Sequence, residues 1–204
     1  NFKKNEIKKT EDVIQHILYV LWDLGYKVGH STRTIDDCIE KSRSDLTIST
    51  SILERRFVCG DEEIYKSLNK KFNSYIEKTK ILDFVEAKLE ESELRHKRFG
   101  ESRYVVEPNV KDGKGGLRDL HTLIWISKFA YNSKNIFHLL ESGVFLKKEL
   151  YILSNSYKFL LSTRCYLHLL SKRENDNLDI ESQIEISKLI RFRQKEIQRP
   201  VERF

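Results

Sequence analysis

Apolar residues early in the chain recur at helical intervals, and polar residues fill the positions between them. Val13, Ile14, Ile17, Leu18, Leu21 and Trp22 form one such stripe, suited to packing, and Gly25 stops it. The polar residues from Asn1 to about Lys9 are expected to fray ahead of that helix, the alternative being the tail of a helix cut from its neighbour. Tyr26–Thr34 is short and rich in β-branched and hydroxyl residues, which predicts a strand leading into a loop. Thr34 reads as a helix N-cap, with Asp36 and Asp37 in the first turn where negative charge is favourable. That helix is expected to run through Cys38 and Ile39 to about Arg43. Asp45–Thr50 predicts a loop or cap, and Ile52, Leu53 and Phe57 point a second helix inward, ending near Cys59-Gly60-Asp61.

From Glu62 to Arg98 the chain is highly charged, with sparse apolar residues that include Ile64, Leu68, Phe72, Ile76, Leu82, Phe84, Val85 and Leu89. This predicts one or two long amphipathic helices with a solvated face. Leu120, Leu123, Ile124, Ile126 and Phe129 form a broader apolar face, with Trp125 assigned to core packing. Ile136–Leu140 and Leu146–Leu160 continue the helical pattern, and Phe159, Leu160, Leu161, Tyr166, Leu167, Leu169 and Leu170 bury another helix. A polar link with Asn175, Asp176 and Asn177 precedes a short amphipathic helix over Gln183–Ile190. The fold class is mainly α, with a small α/β portion ahead of it.

The totals narrow the class only modestly. At 39% hydrophobic and 33% charged residues, the 204-residue chain has an ordinary globular composition and room for one or two domains. A net charge of +6 permits nucleotide, nucleic-acid or acidic protein partners without selecting among them. No apolar run reaches membrane-spanning length and no basic-then-apolar leader is visible, so a cytoplasmic location is expected. Cys38, Cys59 and Cys165 are scattered, no pair has CxxC spacing, and no HExxH occurs, which argues against a metal held by cysteine and histidine. The absence of methionine, including at position 1, suggests a fragment or processed chain.

The richest chemistry lies in Tyr104-Val-Val-Glu-Pro-Asn-Val-Lys-Asp-Gly-Lys-Gly-Gly-Leu-Arg-Asp119. Gly113, Gly115 and Gly116 allow a sharp turn or close approach to a ligand, and Lys111, Lys114 and Arg118 surround it with positive charge. Backbone N–H groups at the start of the following helix are candidates to receive an anion. The alternative is a structural turn whose cations pair with Glu107, Asp112 and Asp119. No GK[ST] follows the glycines, so this is not a P-loop. His30 is open to two readings, a phosphate or carboxylate contact and a satisfied structural histidine. Glu93-Leu-Arg-His-Lys-Arg98 is similarly a phosphate-attracting patch or a solvated helix end.

Nucleotidyl transfer calls for a glycine turn followed by two acids at alternate strand positions, which aim both at one metal site. Asp179 and Glu181 alternate but no glycine turn precedes them, Asp36 and Asp37 are adjacent, and Asp45 and Glu54 are isolated. Ser31 beside His30 is too common an adjacency to indicate a catalytic triad.

Several segments, in order, resemble the bacterial PII uridylyltransferase family, also called uridylyltransferase/uridylyl-removing enzymes. They are Leu21-Trp-Asp-Leu-Gly-Tyr-Lys-Val-Gly-His-Ser-Thr-Arg-Thr34, Asp45-Leu-Thr47 with Leu53-Glu-Arg-Arg56, Arg95-His-Lys-Arg-Phe-Gly100, Glu107–Asp119 and Val201-Glu-Arg-Phe204. The resemblance implies an N-terminal nucleotidyltransferase domain, a helical companion domain, a metal-dependent HD phosphohydrolase domain and C-terminal ACT domains. Residues 1–60 would be the C-terminal part of the first, and 61–204 a truncated helical uridylyltransferase-associated domain.

The implied reaction is Mg2+-dependent transfer of UMP from UTP to a tyrosine of the PII nitrogen-signalling protein. The family's Asp-x-Asp pair would precede Asn1, so the chain is expected to be inactive alone, with Asp45 and Glu54 the candidates for a further carboxylate. Lys111, Lys114 and Arg118, with Arg33 and His30, are expected to face the UTP polyphosphate or PII. Two other readings remain: a fragment of the glutamine synthetase adenylyltransferase family, which Gly29-His-Ser-Thr-Arg33 fits poorly, and a non-catalytic helical module binding protein or RNA. Nucleic acid is disfavoured because Trp22, Trp125 and most phenylalanines lie on apolar helix faces rather than on a continuous basic surface.

Overall fold

A computed structural model of the chain describes residues 4–99, 105–132, 143–190, 201 and 204, with the backbone alone for 4–9. The expected helix over Ile136–Leu140, Tyr104, Gly100 and most of the closing Arg199–Phe204 segment lie outside the described residues. Among the described residues every regular element is a helix, and none is long and apolar enough to cross a membrane. The chain divides into two compact units, Asn1–Ile52 with Arg56–Phe72, and Leu53–Arg55 with Asn73–Phe204.

In the first unit α1 spans Lys4–Asp23, so the helix begins well before the expected fraying end at Lys9. It closes as a Schellman motif. Gly25, at φ +82°, donates to the Trp22 carbonyl at 2.8 Å, and Tyr26 donates to that of Leu21 at 3.0 Å. The α1 stripe is real in spacing but not in burial, since Leu18 is buried while Val13, Ile17 and Trp22 are exposed.

Tyr26–Arg33 is irregular backbone rather than the expected strand. A strand exists only by bonding to a neighbour, and no strand is present among the described residues to pair with it. Helix α2 (Ile35–Ser44) starts as its residues dictate. Thr34 accepts from the Asp37 N–H at 3.1 Å while the Asp37 carboxylate accepts from the Thr34 N–H, a reciprocal capping box. Of the loop or cap expected at Asp45–Thr50, Asp45 is a cap and the rest is helix, α3 (Leu46–Leu53). Helix α4 (Glu62–Lys78) buries Phe72 and Ile76.

The second unit is a serial helical stack. Helix α5 (Ile81–Phe99) packs on α6 (Leu117–Ala130), α6 on α7 (Lys147–Ser171), and α7 on α8 (Ile180–Leu189). Residues 147–171 form one helix where the apolar pattern suggested two. Its core-facing side is narrow, burying Thr163 and Leu167 and leaving Leu169 exposed, so the long apolar run did not mark a buried end. Leu178, Ile186, Leu167 and Val110 form one apolar cluster, with Tyr166, Ile190 and Phe204 packed against it. Phe84 and Phe129 form the other, their rings stacked with centroids 3.8 Å apart and Tyr75 edge-on to Phe129.

Between these helices the chain returns on itself. Asn109 and Asn177 form an isolated antiparallel bridge, with Val110 N–H donating to the Asp176 carbonyl at 2.8 Å and Leu178 N–H to that of Pro108 at 2.9 Å. This fastens the glycine segment to the α7–α8 link. Because Phe129 is buried and its ring stacks on Phe84 of α5, Phe129→Ala is expected to cost about 3–5 kcal/mol. A urea titration of the chain followed by circular dichroism checks it.

Candidate functional site

The glycine segment folds into a turn that consumes its own backbone donors. Asn109 starts it, its Oδ1 accepting from the N–H groups of Lys111 at 3.1 Å and Asp112 at 2.7 Å. Gly113 N–H donates to the Asn109 carbonyl at 3.0 Å and Gly116 N–H to that of Gly113 at 2.9 Å. Leu117, Arg118 and Asp119, the first three residues of α6, donate to the carbonyls of Val110, Lys111 and Gly116. Those are the N–H groups that a helix start normally leaves for an anion. Here they are already bonded, so positive charge at the turn comes from side chains.

The glycines are steric requirements. A Cβ on Gly113 would stand 2.5 Å from the Asn109 carbonyl oxygen, and one on Gly116 would meet three carbonyl oxygens at 2.9 Å each. Gly115 sits at φ +82° in open space, a left-handed conformation other residues rarely adopt.

The basic side chains divide by what they touch. Lys111 Nζ lies 3.6 Å from Asp176 and 4.0 Å from Asp112. Arg118 Nε lies 3.5 Å from Asp112, and its guanidinium stands 5.8 Å from the centre of the Trp125 ring. Lys114 is exposed and has no ion pair among the described residues. Of the acids expected to balance them, Asp112 does so. Glu107 instead accepts from the Ile180 N–H at the start of α8, and Asp119 is engaged by α5.

Two further ion-pair groups complete the site, and in the first of them Arg95 and His96 of the basic Glu93–Arg98 stretch turn to a protein carboxylate rather than to solvent. Asp119 receives Arg95 and His96 from α5, with His96 Nε2 2.9 Å from Oδ1, and accepts the Gly115 N–H at 2.7 Å. Asp176 receives Arg164 Nε at 2.6 Å and His168 Nε2 at 3.2 Å. Arg164 and His168 are four residues apart on α7, the spacing that puts them on one face and the only local signal for this pair. Lys88 is almost fully buried, its ammonium 2.7 Å from Glu91 and 4.6 Å from the Trp125 ring centre. His121 lies against Trp125 with ring centres 5.7 Å apart, and burial, then Arg118, push its pKa down.

The remaining sequence candidates are placed elsewhere. His30 and Arg33 belong to the first unit, Lys111, Lys114 and Arg118 to the second. His30 and Thr32 line a pocket of about 440 Å³ with Thr10, Glu11, Ile14 and Leu18 of α1. Arg33 adds the smallest of several contributions that lower the pKa of Asp37, held down first by its bonds to Thr34, and of Asp45, held down first by the Ile48 N–H. Asp45 caps α3, accepting from the Thr47 N–H at 2.7 Å and the Ile48 N–H at 3.1 Å. Glu54 pairs with Lys128 at 2.7 Å. Asp179 caps α8 by accepting from the Ser182 N–H at 2.8 Å, so it and Glu181 follow one another on a helix, not a strand.

Among the described residues no group of three or more His, Cys, Asp or Glu side chains is arranged to hold a metal ion. The carboxylates of the site are already matched by cations, which is a poor donor set for Mg2+. These residues do not fit a magnesium site.

For Asp119 and Asp176 burial would raise the pKa. It is outweighed at Asp119 by the Gly115 N–H, His96 and Arg95, and at Asp176 by Arg164, His168 and Lys111, so both fall below the ordinary 3.8. Ionised carboxylates therefore favour the folded chain above 3.8, and that contribution is lost as pH falls through 3.8 to the lower folded-state values. The urea midpoint is expected to drop on this acid limb, and less steeply in an Asp119→Asn, Asp176→Asn double variant. Urea titrations across that range measure it.

Comparison with known proteins places this turn in a family. A family model described as GlnD PII-uridylyltransferase matches residues 83–204. The chain is 48% identical over 194 residues to a bifunctional uridylyltransferase/uridylyl-removing enzyme of Rhodopseudomonas palustris (strain ATCC BAA-98 / CGA009). That match covers 95% of this chain and 21% of the relative, so the chain spans about a fifth of the protein it matches. No solved structure matches it. The chain belongs to the GlnD PII-uridylyltransferase family.

Proposed function

We propose that this chain is the helical part of a cytoplasmic enzyme that transfers UMP from UTP to a tyrosine of the PII nitrogen-signalling protein. Residues 1–60 would close its nucleotidyltransferase domain and 61–204 form the associated helical domain. The family match carries this reading, and it favours uridylyl transfer over the adenylyltransferase alternative. Mg2+ would belong to the activity of the whole protein and not to the described residues, which do not fit it.

The part left to this chain is electrostatic. Lys114 is available to an incoming phosphate or acidic partner surface without breaking an internal pair. Lys111 and Arg118 add positive potential beside it while remaining tied to Asp112 and Asp176. Such fixed charge stabilises developing negative charge without itself moving a proton. His30 and Arg33, in the first unit, would be further contacts to phosphate or to an acidic partner.

Two measurements test this. In the full-length protein, Lys111→Gln, Lys114→Gln and Arg118→Gln are each expected to lower transfer of radiolabelled UMP to PII by about tenfold, the loss of one charge-assisted contact. Lys114→Gln should leave the melting temperature unchanged, whereas the other two should lower it because they break pairs. Unchanged turnover with unchanged UTP and PII affinity in all three would overturn the reading. The 204-residue chain alone is expected to show little or no transfer. Robust transfer by it would show that the acids needed are present here after all.

A further inference from the structure

One bond of the glycine turn reaches the side chain that joins it to another helix. The N–H of Gly115 belongs to the peptide linking Lys114 to Gly115, and Asp119 Oδ2 accepts it at 2.7 Å. The same carboxylate receives the Arg95 guanidinium, has His96 Nε2 at 2.9 and 3.0 Å from its two oxygens, and has Ser92 Oγ 3.4 Å away. Ser92 in turn holds Arg95 at 2.9 Å. A peptide beside a glycine of positive φ reorients at little steric cost unless something holds it, and no atom stands near the Gly115 α-carbon on its Cβ side.

We infer that Asp119, clamped by Arg95 and His96 of α5, is a positioning residue that fixes the Lys114–Gly115 peptide and so the direction in which Lys114 presents its ammonium to a phosphate-bearing substrate. The inference rests on the reading of Lys114 as a substrate contact. It explains why an acid stands in the first turn of α6 yet pairs with none of the turn's own lysines. The α5 side chains hold the carboxylate from outside the turn, and Lys114 has no ion pair among the described residues.

The test uses the full-length protein. Asp119→Asn keeps the shape of the side chain and an acceptor oxygen but removes the charge that holds Arg95 and His96. Amide exchange in a peptide covering residues 112–117 is expected to accelerate about tenfold while exchange in α7 stays unchanged, and kcat/KM for UTP to fall about tenfold. In a Lys114→Gln background the same substitution should lower kcat/KM by less than about twofold further, because the two act as one unit. Lys114→Gln alone should lower transfer without altering exchange.

Unchanged exchange in the turn overturns the inference whatever the kinetics. A loss that keeps its full size when Lys114 is already gone overturns it too, since Asp119 would then act elsewhere. If Lys114→Gln leaves transfer untouched, the reading of Lys114 as a substrate contact falls, and exchange still decides whether Asp119 holds the peptide. Should Asp119→Asn fail to fold, His96→Ala loosens the clamp from α5 without touching the turn. Faster exchange in residues 112–117 is again the expected result, and unchanged exchange again overturns it.

Discussion

The turn ahead of α6 closes because nothing stands on the α-carbons of Gly113 and Gly116. Carbonyl oxygens of Asn109, Val110, Lys111 and Gly113 occupy the space a side chain would need. That close approach lets the turn's carbonyls take up the first N–H groups of α6, which otherwise would be satisfied by water, a cap or a ligand. It also sets Val110 into the cluster with Leu167, Leu178 and Ile186. The course of the chain from Asn109 into α6, and the cluster Val110 joins, therefore trace to atoms that are missing from two residues.

Around this turn opposite charges are arranged in small closed groups. Asp112, Asp119 and Asp176 each face basic side chains, and two of those groups draw their cations from a different helix. Exposed pairs contribute little to stability, while partly buried ones are costly to break because the survivor is left without a partner. Lys88 is the extreme case. A buried ammonium is tolerable because Glu91 meets it at one side and the Trp125 ring lies 4.6 Å away. Trp125 is thus more than the packing residue its place on an apolar face suggested.

Local rules made some of this legible. The cap at Thr34 and Asp37 and the stop at Gly25 depend on residues a few positions apart, and the chain states them directly, whereas the pattern over Glu62–Arg98 left open whether α4 and α5 are one helix or two. Periodicity also found α6 and α8, but it could not say which apolar stripes are covered. Val13 and Ile17 keep helical spacing and remain exposed. Whether Tyr26–Thr34 forms a strand was beyond local inference too, since strands are made by neighbours, and the segment is irregular. Within the site, the glycines and lysines stood out by composition, whereas Arg95, His96 and Asp119 meet only through the packing of α5 on α6. Asp45 and Glu54 show the converse limit. An acid's identity does not reveal whether its oxygens are free, and these hold a helix end and a lysine.

The bridge between Asn109 and Asn177 has a bearing on how the second unit assembles. Its two backbone bonds close a loop spanning all of α6 and α7, so they form between residues far apart in the chain. Closing so long a loop costs entropy that grows with the logarithm of its length, and two hydrogen bonds repay little of it. The clasp is therefore held by helices already docked rather than drawing them together. Its strength is a matter of effective concentration. A break in the chain between α6 and α7 would turn one molecule holding its own ends into two partners that must find each other, and a pair of bonds this small would lose its hold on dilution.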